Sequence, residues 1–246
     1  MNKLLLSFVV TFIAGFSTMF GYLFVFVKTE NKRRLISNCL LFSSSVMLTV
    51  SLFDIIPSSY TYLAKVYLFI PSILIIAISG LFGALLIHVI NTSFKSQNNL
   101  YKIGITSMLA LIIHNIPEGI ITFISTTNNT KLGIVLAFSI ALHNIPEGIT
   151  IAVPIYYSTK SKKKAFIYTF ISSISEPLGA LIAYFLIDKI NNTYFFSFIL
   201  SFTAGIMIYL SIFELLAEGI KYSKIKDIFI SMLLGFLIII FSVYII

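Results

Sequence analysis

The sequence predicts an all-α protein of eight membrane-spanning helices, and three observations carry that prediction. Of the 246 residues 58% are hydrophobic and 11% charged, whereas soluble domains carry roughly 25% charged residues. The apolar residues fall into eight runs, each long enough for a hydrocarbon core about 30 Å thick. Lys and Arg collect in alternate connections between the runs, as they do in membrane proteins of fixed orientation. Such a composition excludes a secreted or cytosolic enzyme, a disordered scaffold and a stand-alone nucleic-acid binder.

The first run, 4–27, follows Met1-Asn2-Lys3 and imitates a secretory signal. It exceeds the roughly 7–15 apolar residues of a signal core and no clean cleavage site ends it, so it is expected to remain as the first span. The second, 36–57, carries Asp54 near its end. The third, 67–90, holds Gly80 and Gly83, which suit close helix packing, and His88 near its far end. The fourth and fifth, 103–125 and 132–157, carry the polar motifs described below, and the sixth, 165–187, carries Ser175-Glu176-Pro177. The seventh, 194–216, ends on Glu214, with Glu218 just beyond, and the eighth is 227–246. Connections of no more than about a dozen residues leave one transmembrane domain, 1–246. Cys39 is the sole cysteine, which excludes a disulfide framework within the chain.

Thirteen of the 17 Lys and Arg residues lie in odd-numbered connections, around Lys28 to Arg34, Lys95 and Lys102, Lys160 to Lys164, and Lys221 to Lys226. Lys3, Lys65, Lys131 and Lys189 lie on the other side. The positive-inside rule then puts both termini outside the cytoplasm, with the plasma membrane as the default location. The net charge of +8 is thereby explained by topology and anionic lipid, without a nucleic-acid partner.

Ionisable groups in mid-span cost at least about 2.5–3.5 kcal/mol on insertion scales, so they need a partner, a cavity or a ligand. His114-Asn115-Ile116-Pro117-Glu118-Gly119-Ile120 lies at the centre of the fourth span, and the identical heptapeptide from His143 to Ile149 at the centre of the fifth, 29 residues on. Consecutive spans run antiparallel, so both copies share one depth about an in-plane pseudo-two-fold, a transporter signature. His and Glu four residues apart face the same way. Two imidazoles and two carboxylates form an N/O set suited to zinc and other borderline divalent cations, with amide oxygens of Asn115 and Asn144 beside them. Pro117, Pro146 and Pro177 cannot donate to the carbonyls of Ile113, Leu142 and Ser173, which opens the helices where a cation would sit. Glu118, Glu147 and Glu176 cannot all stay ionised together without a cation or protons. A second repeat, at an offset of 160, aligns 51–57 with 211–217, Asp54 with Glu214, Phe42 with Phe202 and Met47 with Met207. By the topology, Asp54 is expected at the outer mouth, Glu214 and Glu218 at the inner one, and His88 as an exit ligand.

The paired His-Asn-Ile-Pro-Glu-Gly motifs and Ser175-Glu176-Pro177-Leu178-Gly179 resemble the ZIP (Zrt-, Irt-like) metal transporters over essentially the whole chain. The resemblance implies an eight-helix bundle with an inverted 3+2+3 repeat and uptake of Zn²⁺, and more broadly Fe²⁺, Mn²⁺, Co²⁺ or Cd²⁺, into the cytoplasm. It implies no cofactor beyond the transported metal. One metal position would use His114, Glu118, His143 and Glu147, and its neighbour Asn115, Glu118, Asn144, Glu147 and Glu176. An elevator-like movement is implied as well. Partners expected are divalent cations, the lipid bilayer and, without a residue that argues for it, a homodimer. Two departures stand out: the connection from Asn91 to Lys102 lacks a histidine-rich tract, and Pro57-Ser58 replaces the Pro-Glu that often follows the second-span acid. An intramembrane metalloenzyme is the main rival class. It is disfavoured because the chain has no HExxH, whose glutamate serves as general base.

Overall fold

A computed structural model describes residues 2–190 and 193–245. The side chains of 187–190, 193 and 243–245, Lys189 among them, lie outside that description. Among the described residues eight helices are long and apolar enough to cross a membrane: Lys3–Phe26, Lys32–Leu63, Phe69–Ser93, Asn99–Asn128, Thr130–Thr159, Lys162–Leu186, Tyr194–Tyr222 and Ile225–Ser242. They are called spans 1 to 8 below.

Spans 2 and 7 each run six residues past their expected ends. Span 2 starts four residues early because the Asn31 side chain caps the Arg34 amide at 3.0 Å, drawing Lys32, Arg33 and Arg34 into the first turn. It also continues six residues past Pro57. The turn widens to a π-helix over Ser51–Ile55, and Pro57 falls in the first turn after it, where a missing N–H is least disruptive. Span 7 widens in the same way over Leu210–Leu216 and runs on to Tyr222. Its last turns are held by Ser37, whose hydroxyl bonds the Gly219 carbonyl. Span 1 tightens to a 3₁₀ helix from Ser17 to Phe26. At that change Ser17 Oγ lies 2.6 Å from the Ala14 carbonyl and 3.0 Å from that of Ala141 in span 5.

The spans pack as two groups. Spans 1, 4, 5 and 6 form one, with spans 4 and 6, 4 and 5, and 1 and 5 in the most extensive contact. Spans 2, 3, 7 and 8 form the other, in which spans 2 and 7 pack most extensively on each other, span 3 lies on span 7 and span 8 on span 2. Span 2 against span 5 and span 4 against span 7 are the principal joints between them. Spans 3 and 8 are peripheral, with only 22% and 28% of their apolar windows buried.

Hydrophobic burial cannot select partners inside lipid, so close contact between small residues and polar bonds must do so. Gly83 and Gly235 sit against the carbonyls of Phe202 and Phe42, and Gly119 and Gly148 against those of Glu176 and Thr18. A Cβ at any of the four would overlap the facing backbone. Buried hydroxyls add bonds to carbonyls of neighbouring spans, including Ser44 to Ser211 at 3.0 Å, Ser45 to Met232 at 2.6 Å and Ser59 to Ser197 at 3.0 Å. One such bond, Ser43 to the Pro146 carbonyl at 2.7 Å, ties span 2 to the polar centre of span 5.

Candidate metal site

His114, Asn115 and Glu118 lie on successive turns of span 4, and His143, Asn144 and Glu147 occupy the same places on span 5. Gly119 and Gly148 let spans 6 and 1 approach to backbone contact just beside the two glutamates. The approach of span 6 delivers Glu176. All seven residues are at most 7% exposed.

The contacts run between helices as much as along them. His114 Nε2 is 3.2 Å from Glu147 Oε1 and 3.4 Å from Glu118 Oε1, and His143 Nε2 is 3.3 Å from the same Glu118 oxygen. Two ligand atoms on one tetrahedral zinc, each about 2.0–2.1 Å from the metal, stand about 3.3 Å apart. Three of the six pairwise separations among the two imidazoles and two carboxylates fall at that spacing. No three His, Cys, Asp or Glu side chains among the described residues already converge on one metal position; the groups are paired with each other instead. Asn144 Nδ2 donates to Glu176 Oε2 at 2.8 Å and to the Ala14 carbonyl at 2.9 Å. That leaves Asn144 Oδ1 and Glu176 Oε1 without hydrogen-bond partners. In all, ten buried nitrogen and oxygen atoms of the seven residues have none: His114 Nδ1 and Nε2, both side-chain atoms of Asn115, Glu118 Oε2, His143 Nδ1, Asn144 Oδ1, both oxygens of Glu147, and Glu176 Oε1. His114 Nε2 and Glu147 Oε1 are at ion-pair distance but not aligned as a hydrogen bond. Buried polar atoms are nearly always satisfied in folded proteins, and these ten have no partner within the protein.

A cleft of about 320 Å³ leads to the cluster. Glu118 and His143 line it together with Asp54, Ser58, Thr61 and Lys65. Asp54 is half-buried there, with Ser58 Oγ 3.4 Å from its Oδ1. Glu214, Glu218 and His88 are not among its lining residues. Glu218 is buried and paired with Lys221 at 2.6 Å, Glu214 is buried in the π-helical turn, and His88 is exposed with its Nδ1 3.0 Å from the Tyr209 hydroxyl. The structure therefore brings Asp54 toward the seven central residues and leaves the other three apart.

Span 1 contributes to this centre in a way that was not read from the sequence. The Ala14 carbonyl anchors Asn144, and Gly15 lies against Glu176 and Pro177. The signal was available as spacing: Ser17 and Gly21 are separated as Ser175 and Gly179 are.

Eight apolar helices around a buried cluster of His, Asn and Glu define a polytopic membrane protein with a polar centre. Residues 96–242 match the family described as ZIP Zinc transporter. The chain is 38% identical to a zinc transporter ZupT of Streptococcus mutans over 239 residues, covering 91% of this chain and 90% of the relative. It is 38% identical over 245 residues to one of Oceanobacillus iheyensis, covering 91% of each, and 34% identical over 256 residues to one of Clostridium perfringens, covering 91% and 90%. The chain belongs to the ZIP family, on the branch of these ZupT relatives. It is thus a multi-pass membrane protein of a transporter family and not an enzyme.

Proposed function

We propose that this chain is a single transmembrane domain that carries divalent metal cations into the cytoplasm, Zn²⁺ first and Fe²⁺, Mn²⁺, Co²⁺ or Cd²⁺ besides, by alternating access. The observation that carries it is the set of ten unsatisfied buried atoms on three helices at the centre of the bundle. The transporter identity of the relatives supports the same reading.

Two adjacent cation positions account for the donors. His114, Glu118, His143 and Glu147 hold the first, where separations of 3.2–3.4 Å suit a small four-coordinate cation. Asn115, Asn144 and Glu176 complete the second, with Glu118 and Glu147 bridging through the oxygens their histidine contacts leave free. A turn of the carboxylates away from the imidazoles is enough to admit a cation between them. Desolvating the cation is offset by replacing its water with imidazole and carboxylate.

An inverted 3+2+3 repeat, spans 1–3 and 6–8 about spans 4 and 5, explains the packing. Exchanging 1 with 6, 2 with 7, 3 with 8 and 4 with 5 turns the pair 3 with 7 into 8 with 2, and 4 with 6 into 5 with 1. The π-helical turns at Asp54 and Glu214, and Gly83 on Phe202 beside Gly235 on Phe42, fall at matching places. Spans 1, 4, 5 and 6 carry the site and move as a body against the rest, in the elevator manner. The cleft at Lys65 then faces outward, both termini are outside and Glu214 and Glu218 belong to the inner exit, with His88 as a lesser ligand there. Mass measurement in detergent tests for a homodimer.

Equilibrium dialysis of the purified chain against Zn²⁺ tests the site. Wild type is expected to bind two ions per chain, and Glu147→Ala, which removes one of the two bridging ligands, neither tightly; an unchanged stoichiometry in the variant would sink the assignment.

A further inference from the structure

The inverted arrangement pairs span 1 with span 6 at an offset of 158, at which Ser17 matches Ser175 and Gly21 matches Gly179. Ser17, Thr18 and Gly21 answer to Ser175, Glu176 and Gly179. Ser17 Oγ bonds the Ala14 carbonyl at 2.6 Å, and Ser175 Oγ bonds the Ser172 carbonyl at 2.5 Å. The Thr18 carbonyl lies against Gly148 and the Glu176 carbonyl against Gly119. Thr18 therefore stands beside span 5 where Glu176 stands beside span 4.

The two halves differ in how their polar groups are satisfied. On one side Asn144 is bonded to Glu176 and to the Ala14 carbonyl, so its Oδ1 is fixed with no partner of its own. On the other side Asn115, the counterpart of Asn144, is fully buried and neither of its side-chain polar atoms has a partner. Thr18 Oγ1 and Ser172 Oγ, which answer to Glu176 and to the position of Ala14, are fully buried and equally unpartnered. A whole half-site is left polar, closed and unsatisfied, which is unfavourable unless a further partner arrives.

We propose that Thr18 is a positioning residue for metal choice: with a cation in the site its Oγ1 accepts a hydrogen bond from Asn115 Nδ2 and turns Asn115 Oδ1 onto the ion. This rests on the transport function above and deepens it. Glu176 orients Asn144 with a charged oxygen, whereas Thr18 orients Asn115 with a neutral one. Its influence falls on cations that favour neutral oxygen donors and higher coordination, such as Mn²⁺. Zn²⁺, held four-coordinate by His and Glu, depends on it least.

The test uses the purified full-length chain and the variants Thr18→Val, which keeps shape and removes the hydroxyl, and Thr18→Ser, which keeps the hydroxyl. Competition between Mn²⁺ and Zn²⁺ is measured by equilibrium dialysis and by uptake into proteoliposomes. The Mn²⁺ to Zn²⁺ affinity ratio is expected to fall about two- to tenfold in Thr18→Val, the scale of one neutral hydrogen bond, and to recover in Thr18→Ser. An unchanged ratio in a folded Thr18→Val protein overturns the proposal. So does an equal loss of both metals, which marks Thr18 as a structural residue only. Wild type that binds neither metal overturns the transport function itself, a result distinct from either.

Discussion

His114 pairs across the helix boundary: its Nε2 lies 3.2 Å from Glu147 Oε1 of span 5 and 3.4 Å from Glu118 Oε1 of its own helix. His143 reaches back to the same Glu118 oxygen at 3.3 Å. The four groups are thus one interlocked cluster rather than two separate His–Glu clips, and Glu118 is the group that touches both imidazoles.

Glu118→Gln keeps the side-chain shape and removes the charge. Changes merely adjacent to metal ligands already reduce affinity about 10–100-fold, so zinc affinity is expected to fall at least that far. Isothermal titration of the purified variant checks this, with circular dichroism confirming that helical content is retained.

Asp54 lies in the cleft leading to the site rather than in the site. Asp54→Asn should remove an attraction on the approaching cation, raising KM about two- to fivefold while kcat stays within about twofold, with the difference shrinking as salt is added. Initial rates of uptake at several metal and salt concentrations separate the two parameters.

Glycine spacing at the span 3 crossing gives a test of the packing alone. A Cβ on Gly80 would meet the Ser201 carbonyl oxygen at an ordinary 3.4 Å, whereas one on Gly83 would overlap the Phe202 carbonyl. Gly80→Ala should leave thermal stability in detergent nearly unchanged, and Gly83→Ala should destabilise by about 1–3 kcal/mol through forced separation of spans 3 and 7. Equal melting temperatures for the two variants would contradict the close approach.

The cleft also reports orientation. Cys39 is buried and supplies no reactive background. Thr61 is exposed at the cleft, so Thr61→Cys should react with a membrane-impermeant maleimide in intact cells and be protected by Zn²⁺. Labelling confined to inside-out vesicles would reverse the topology.

The eight spans and the seven central residues were legible because lipid permits few solutions: a run of about 20 apolar residues is a helix, and two copies of His-Asn-Ile-Pro-Glu-Gly at mid-span have no apolar explanation. The ends of spans 2 and 7 were less legible. Pro57 reads as a stop, and only the π-helical turn before it lets the helix continue to Leu63. The part of span 1 was hidden for another reason. It acts largely through the Ala14 carbonyl and through backbone approach at Gly15 and Gly21, and a main-chain oxygen has no letter in the sequence. The contact of His88 Nδ1 with the Tyr209 hydroxyl, 121 residues on in the chain, was likewise not readable from spacing.

The most direct test of the central claim is uptake of ⁶⁵Zn²⁺ into proteoliposomes containing purified wild type or Glu147→Ala. Glu147 is fully buried, lies 3.2 Å from His114 and is shared by both of the proposed cation positions. Saturable uptake by wild type, abolished in a variant that still inserts and folds, is the predicted result. Equal uptake by the two proteins would contradict the account.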